Sequence, residues 1–266
     1  MNRIAQKFQA LQQAQRKALV TYIVNGDPTP EITLAAMHRL VSAGADILEI
    51  GVPFSDPMAE GPVIQRSHER ALVHGVSLRD TLALVKAFRA DDQQTPVVLM
   101  GYANPVERMG YEAFALAAKE AGVDGLLTVD MPPEEAGELH PLLKQQGVES
   151  IFLLAPTSSE ARVKKVAELA GGFIYYVSLK GVTGASHLDV ASVKDKLAQI
   201  SRFSSLPVLV GFGIKDGSSA RAVAEYAEGV VMGSALVEIM GSGGSRDQIL
   251  ASLGDKVSSI RAALDQ

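Results

Sequence analysis

Three carboxylic acids lie close together in the stretch LEIGVPFSDPMAEGP, residues 48–62. Glu49 ends a short apolar run, whereas Asp56 and Glu60 follow among Pro, Gly and Ser. A carboxylate at the end of a buried strand costs free energy unless it is paired or used in chemistry. Burial also raises the pKa of such a group, which lets it donate a proton near neutral pH. We therefore predict that Glu49 is an acid–base catalyst, with a structural ion pair as the alternative.

Two turns that contain glycine follow the last apolar runs of the chain, GFGIKDG at 211–217 and GSALVEI at 233–239. Glycine lets the backbone approach an anion closely, and N–H groups at a helix N-terminus bind phosphate. The turns therefore predict a phosphate site, although glycines that serve only as turn residues are the alternative. GFG is not a dinucleotide fingerprint, because the third glycine and the later ribose acid are missing.

The elements that position these residues are visible as eight short apolar runs without polar alternation. Such runs are typical of parallel strands that are buried on both faces. Amphipathic stretches such as 30–44 and 111–122 separate them and predict helices. The pattern predicts an α/β fold, a (β/α)8 or TIM barrel in one domain over residues 1–266, with an open doubly wound sheet as the alternative. The runs cover residues 18–24, 45–52, 96–102, 125–131, 150–156, 173–178, 206–213 and 228–234.

Two helices are predicted beyond the basic repeat. Ile4, Phe8 and Leu11 recur at helical spacing, which predicts an N-terminal amphipathic helix packed on the body of the barrel. The long interval between the second and third strands leaves room for an additional helix over 61–75, before another over 77–90.

Barrel enzymes carry their catalytic side chains at the C-terminal ends of the strands. Glu49 and Asp130 end the second and fourth predicted strands, so both should point into the barrel mouth, beneath a loop formed by residues 53–61. Asp27, in NGDP, is predicted to shape a turn, and Asp56 either forms a turn or contacts a partner.

The composition excludes several classes of protein. The chain has no cysteine, so disulfides, thiolate metal sites and a Cys nucleophile are excluded, which fits a cytoplasmic protein. A net charge of −5 argues against nucleic-acid binding, and no apolar run approaches the roughly 18 residues of a membrane span. None of the five histidines ends a predicted strand, so we expect them to be solvated and predict no metal site.

The stretches VTYIVNGDP, LEIGVPFSDPMAEGPVIQ, GVTG and GFGIKDG resemble, in order, the tryptophan synthase alpha subunit family over essentially the whole chain. The resemblance implies cleavage of indole-3-glycerol phosphate into indole and glyceraldehyde 3-phosphate. It also implies an alpha2-beta2 heterotetramer in which indole passes through a tunnel to a beta subunit. Pyridoxal phosphate is expected only in that partner, so this chain would need no cofactor.

The resemblance implies roles for individual residues. Glu49 would first give a proton to the indole ring and then take one from the side-chain hydroxyl. Glu60, where the family usually has Asp, would balance the ring N–H as it becomes positive. Thr183 would belong to a loop that closes onto Glu60, and Asp56 would lie at the beta interface. The phosphate would be bound by Gly184, Gly213, Gly233 and Ser234, and the indole slot lined by Tyr22, Met100, Leu127, Leu153, Tyr175 and Phe212.

Two other functions remain open at this point. Another phosphate-binding barrel isomerase or lyase would commonly use an Asp pair or a Lys–Glu set, but no Lys ends a predicted strand. A non-catalytic subunit that only activates a beta partner would have no use for acids at positions 49 and 60. The Gly, Ser, Pro and Thr residues of segments 53–61 and 179–190 predict that both are mobile in the isolated chain and ordered by the partner.

Overall fold

The strands of the protein close into a parallel barrel. The computed structural model describes residues 2–178, 190–211 and 213–266. Within these ranges each strand pairs with the next along the chain, and the eighth pairs with the first, so the barrel prediction is confirmed and the open sheet is excluded. The strands are β1 Ala18–Val24, β2 Ile47–Gly51, β3 Val97–Gly101, β4 Gly125–Thr128, β5 Glu149–Leu154, β6 Ile174–Val177, β7 Val208–Gly211 and β8 Gly229–Met232.

Helices surround the barrel, and both additional helices are present as predicted. The one at the N-terminus is α1, and the one after β2 is α3. The helices in the described ranges are α1 Arg3–Gln13, α2 Pro30–Ser42, α3 Pro62–Val73, α4 Leu78–Phe88, α5 Ala103–Met109, α6 Tyr111–Ala121, α7 Leu139–Gln146, α8 Glu160–Leu169, α9 Val190–Ile200, α10 Gly217–Ala224, α11 Ser234–Met240 and α12 Arg246–Leu264. None of them is long and apolar enough to cross a bilayer.

Local sequence signals explain where several of the helices begin and end. Pro30 and Pro62 occupy the first positions of α2 and α3, where a missing N–H costs nothing. Ser77 and Asp80 form a capping box at the start of α4. Gly122 ends α6 in the left-handed conformation, with φ of 83°.

The core has two layers, which explains why the strands lack polar alternation. Residues that face outward, such as Leu19, Leu48 and Leu99, pack with the surrounding helices in one large apolar cluster. Their neighbours Val20, Ile47 and other inward-facing residues form a second cluster inside the barrel. Because both faces of each strand are apolar and buried, the period-2 signal of an exposed sheet disappears.

Helix α1 closes the N-terminal end of the barrel. Ile4 and Leu11 are buried with the interior cluster, and the Phe8 ring lies 6.2 Å from that of Phe173. Arg3 Nη1 pairs with Asp124 Oδ1 at 3.0 Å and fixes the helix to the rim. Since one end is closed, the C-terminal ends of the strands form the mouth.

Candidate active site

Glu49 is a buried acid that the rest of the described chain leaves without a partner. Strand β2 places it in register with Tyr22 of β1 and Val98 of β3, and its exposed fraction is 1%. Among the described residues neither carboxyl oxygen has a hydrogen-bond partner, so the ion-pair alternative is wrong there. Burial, assisted by the negative charge of Glu60, raises the pKa of Glu49 to about 8. Glu49 therefore stays protonated at neutral pH.

Glu60 is the second acid of the mouth. It lies between β2 and α3, and its main chain is held by the bond from Glu60 N–H to Pro57 O and by Gln65 Nε2, which donates to Glu60 O. Partial burial raises the pKa of Glu60 to about 7, below that of Glu49 at about 8. Glu60 thus loses its proton first, and its charge then holds the proton on Glu49.

Tyr102 and His68 hold the loop that carries Glu60, which we define as residues 53–61. The Tyr102 ring stacks on Phe54 with centroids 5.1 Å apart, and its hydroxyl accepts a bond of 3.1 Å from the N–H of Ala59. His68 Nδ1 accepts the N–H of Phe54 at 3.1 Å. These contacts bring both halves of the loop against the barrel. Whether the loop is mobile in the isolated chain stays a prediction.

Two tyrosines extend over glycines of neighbouring strands. A Cβ atom at Gly51 would overlap the Tyr22 hydroxyl, and one at Gly211 would overlap the Tyr175 hydroxyl. Burial raises the pKa of both phenols well above the ordinary value, and the charges of Glu49 and Glu60 add to the effect. Both hydroxyls therefore remain protonated and can donate hydrogen bonds in the mouth.

The overlap at Gly51 leads to a stability prediction. We expect Gly51→Ala to lower the free energy of unfolding by about 1–3 kcal/mol, because the new methyl group must displace the Tyr22 ring. Gly137→Ala is the matched control, since a Cβ there meets open space. Urea unfolding of both variants measures the difference. Equal stability of the two variants would show that Tyr22 moves aside freely.

The apolar residues predicted for the slot come together at the mouth. Met100, Leu127, Leu153 and Tyr175 belong to the cluster inside the barrel, and Met100 also joins Tyr22 in a smaller cluster. That smaller cluster includes Val63 and Ile64 of α3 and Val237 of α11. Leu127 is fully buried and forms the core layer beneath the others. The slot therefore has apolar walls and two tyrosine hydroxyls.

The described glycine turns also lie at this end of the barrel. Gly213 has φ of 82°, a conformation that strains any other residue. Gly233 precedes α11 and packs against Tyr22, because a Cβ at Gly233 would be 3.4 Å from Tyr22 Cδ1. Ser234 is exposed and begins α11, and no side chain among the described residues caps this helix. The start of α11 thus lies next to the slot, and its first N–H groups have no side-chain acceptor in the part of the chain that the structure describes.

Comparison with known proteins decides the family. The family model described as tryptophan synthase alpha chain matches residues 8–264. The chain belongs to the tryptophan synthase alpha chain family. The alpha chain of Thioalkalivibrio sulfidiphilus is 62% identical over 89% of both chains, and that of Methylococcus capsulatus is 56% identical over the full length of both. The crystal structure of the alpha subunit from Legionella pneumophila str. Paris has a TM-score of 0.93 and 46% identity, covering 100% of this chain and 99% of that one.

Membership of the tryptophan synthase alpha chain family establishes the reaction. The protein is a carbon–carbon lyase of tryptophan biosynthesis, and it cleaves indole-3-glycerol phosphate to indole and glyceraldehyde 3-phosphate. The alternative of a different phosphate-barrel enzyme has no support from the relatives. Three residues predicted to bind this substrate, Thr183, Gly184 and Phe212, lie outside the described residues, as do residues 179–189.

Asp130 was predicted to point into the mouth, and this prediction is wrong. Strand β4 ends at Thr128, and Asp130 is exposed on the following turn. Its Oδ1 accepts the N–H of Ala103 at 2.8 Å, so it caps the first turn of α5 from a neighbouring loop. Asp27 shapes its turn as the buried member of an ion pair, in which both of its carboxyl oxygens accept bonds from Arg70 at 2.6 and 2.9 Å.

The prediction that the histidines are solvated is wrong for His68, whose exposed fraction is 2%. Its Nε2 lies 3.4 Å from the Tyr22 hydroxyl, and burial lowers the pKa of His68 to about 4. A sequence signal was present, because Ile64, His68 and Ala71 share one face of α3 at helical spacing. Tyr102 was also missed, although it directly follows β3 at the mouth.

Proposed function

We propose that Glu49 and Glu60 divide the acid–base work of indole-3-glycerol phosphate cleavage in this chain. The observation that carries the proposal is the Glu49 carboxyl group, which is buried at the mouth and, in the part of the chain that the structure describes, has no hydrogen-bond partner. A buried carboxyl group without a partner is costly in a folded protein and is typical of a group used in catalysis.

The reaction requires one proton to move onto the substrate and another to leave it. Protonated Glu49 gives its proton to indole carbon 3, which turns the ring into an electron-poor indolenine. The carbon–carbon bond then breaks, and its electron pair returns to the ring to form indole. The hydroxyl next to the broken bond becomes the aldehyde, and its proton passes to the Glu49 carboxylate. Glu49 ends the cycle protonated, as its raised pKa of about 8 favours.

Glu60 acts as the ionised member of the pair. Its carboxylate balances the ring nitrogen, which becomes positive when carbon 3 is protonated. The order of the two pKa values supports this division, since Glu60 titrates at about 7 and Glu49 at about 8. The contacts of Tyr102 and His68 with residues 53–61 fix the main chain of the loop. At position 60 that loop carries Glu, whose side chain is longer than that of the Asp usual in the family.

The other predicted contacts complete the substrate site. The phosphate is bound by backbone N–H groups at Gly213, at Gly233 and at the start of α11, with the Ser234 hydroxyl beside them. The indole ring lies between Tyr22, Met100, Leu153 and Tyr175, above Leu127. Gly184, Thr183 and Phe212 belong to the proposed site by resemblance.

The partner of this chain is the beta chain of tryptophan synthase. We place the contact at residues 53–61, where Asp56 and Met58 are exposed and Met58 has an exposed fraction of 83%. The assembly is an alpha2-beta2 heterotetramer in the cytoplasm, with pyridoxal phosphate bound by the beta chain and indole passed to it through a tunnel. Residues 1–266 act as one domain.

Indole released from indole-3-glycerol phosphate tests the function directly. We expect release by the isolated chain and faster release with a saturating, cognate beta chain, because the partner orders residues 53–61 over the mouth. The beta chain alone is the control. Absence of indole in every reaction would refute catalysis by this chain, and equal rates with and without the partner would refute activation.

A further inference from the structure

His68 connects the loop at residues 53–61 to the slot. It is buried on α3, and its ring touches two elements at once. Its Nδ1 accepts the N–H of Phe54 at 3.1 Å, and its Nε2 lies 3.4 Å from the Tyr22 hydroxyl oxygen. The proton transfers proposed above use no histidine, so they leave this buried ring without an assigned role.

The contact with Phe54 fixes the tautomer of His68. A backbone N–H can only donate, so Nδ1 must be the acceptor and carry no proton. In the neutral ring the proton is then on Nε2, which donates it to the Tyr22 oxygen. Burial lowers the pKa of His68 to about 4, so the ring stays neutral at the pH where the enzyme works.

Once its oxygen accepts from His68, the Tyr22 hydroxyl has one direction left for its own proton. The group lies over Gly51, two residues beyond Glu49 on β2, and the charges of Glu60 and Glu49 both act on it. These are the charged groups of the mouth that face it. An O–H that is turned away from His68 can point into the mouth, where both carboxyl groups act on it.

We propose that His68 is a positioning residue, whose tautomer is fixed by the Phe54 N–H and whose Nε2–H aims the Tyr22 hydroxyl proton into the catalytic mouth. The inference rests on the proposed function, since the hydroxyl acts on the groups that carry out the cleavage. The Tyr22 O–H acts on the negative charge that develops on Glu49 when its proton passes to the ring, and it does not change how the phosphate is bound.

Two amide variants separate the two contacts of His68. In His68→Asn the amide oxygen can take the position of Nδ1 and accept the Phe54 N–H, but the side chain is too short to reach the Tyr22 hydroxyl. In His68→Gln the amide reaches the level of Nε2 and can still donate to Tyr22. The loop remains held in His68→Gln, because Tyr102 still stacks on Phe54 and accepts from Ala59.

The expected result is a split between kcat and KM. Loss of one neutral hydrogen bond predicts a fall in kcat of about fivefold for His68→Asn and for Tyr22→Phe, with KM unchanged. His68→Gln should retain kcat within about twofold of wild type. The double variant His68→Asn, Tyr22→Phe should lose only about fivefold instead of the product of about 25-fold, because both changes remove one interaction.

Indole release with the cognate beta chain present gives all four rates, and circular dichroism and thermal melting confirm that each variant is folded. Three results would overturn the proposal. The first is a folded His68→Asn variant with wild-type kcat, and the second is a His68→Gln variant as slow as His68→Asn. The third is a double variant whose loss in kcat equals the product of the two single losses. If a His68 variant does not fold, Tyr22→Phe decides, because wild-type kcat in that variant refutes it. Failure of the proposed function is distinct, since the wild-type chain would then release no indole.

Discussion

Glu49→Gln is expected to lower kcat for indole release by at least about 100-fold while KM changes little. The amide keeps the size and shape of the side chain but can neither give up nor take back a proton. Both proton transfers pass through this one carboxyl group, so its loss stops both. We expect no other described acid of the mouth to take over either transfer. Glu60 has the lower pKa of the two, about 7 against about 8, and its proposed role is the ionised one instead.

Binding of glycerol phosphate, measured by calorimetry, shows whether the Gln variant keeps its site. Glu149→Gln is the matched control, because Glu149 begins β5 near the closed end of the barrel and accepts a bond from Asn2 at 2.9 Å. An amide oxygen can accept the same bond, so the control should retain wild-type kcat. Near-normal turnover in Glu49→Gln would remove Glu49 from the mechanism.

Ser234→Asp is expected to weaken glycerol phosphate binding by at least about tenfold, because it puts a negative charge where the dianion is bound. The fold should survive, since an acid in the first turn of a helix interacts favourably with its dipole. This position is a cleaner test than Gly213, whose φ of 82° would add backbone strain to any substitution.

Ser234→Asn is the control that separates charge from size. It has nearly the same shape as Asp but no charge, so we expect its affinity for glycerol phosphate to fall much less. Calorimetry on both variants gives the two constants. If Ser234→Asp binds glycerol phosphate as tightly as Ser234→Asn and the wild-type protein do, the phosphate does not lie at the start of α11.

The strands were predictable because burial on both faces makes each strand a continuous apolar run in the sequence. The length of such a run overestimates the length of the strand, and β4 shows why. Val129 and Met131 pack against the apolar clusters after the strand has ended at Thr128. The length of an apolar run therefore reports how many residues are buried, and not how many pair with a neighbouring strand. The run at 125–131 extends past the end of β4, which is why Asp130 was predicted to end the strand and point into the mouth.

The site was predictable where it depends on position along a strand, and not where it depends on packing between distant elements. Glu49 lies two residues before the C-terminal end of β2, and its nearness to the barrel mouth follows from that position along the strand. The contact of His68 with Tyr22 joins residues 46 positions apart, and the pair of Asp27 with Arg70 joins residues 43 apart. The contact of His68 with Tyr22 requires the face of α3 that meets β1, and the sequence alone does not identify that face as the one over the mouth.

The account of two carboxyl groups in one mouth is tested most directly by the pH dependence of kcat/KM for indole release. The profile should fall at low pH as Glu60, with a pKa of about 7, gains a proton, and at high pH as Glu49, with a pKa of about 8, loses one. In Glu60→Gln the maximum should be lower and the alkaline limb should move to lower pH, because the charge that raises the Glu49 pKa is gone. A wild-type profile that is flat from about pH 6 to 9, or an alkaline limb that Glu60→Gln leaves in place, would contradict the account.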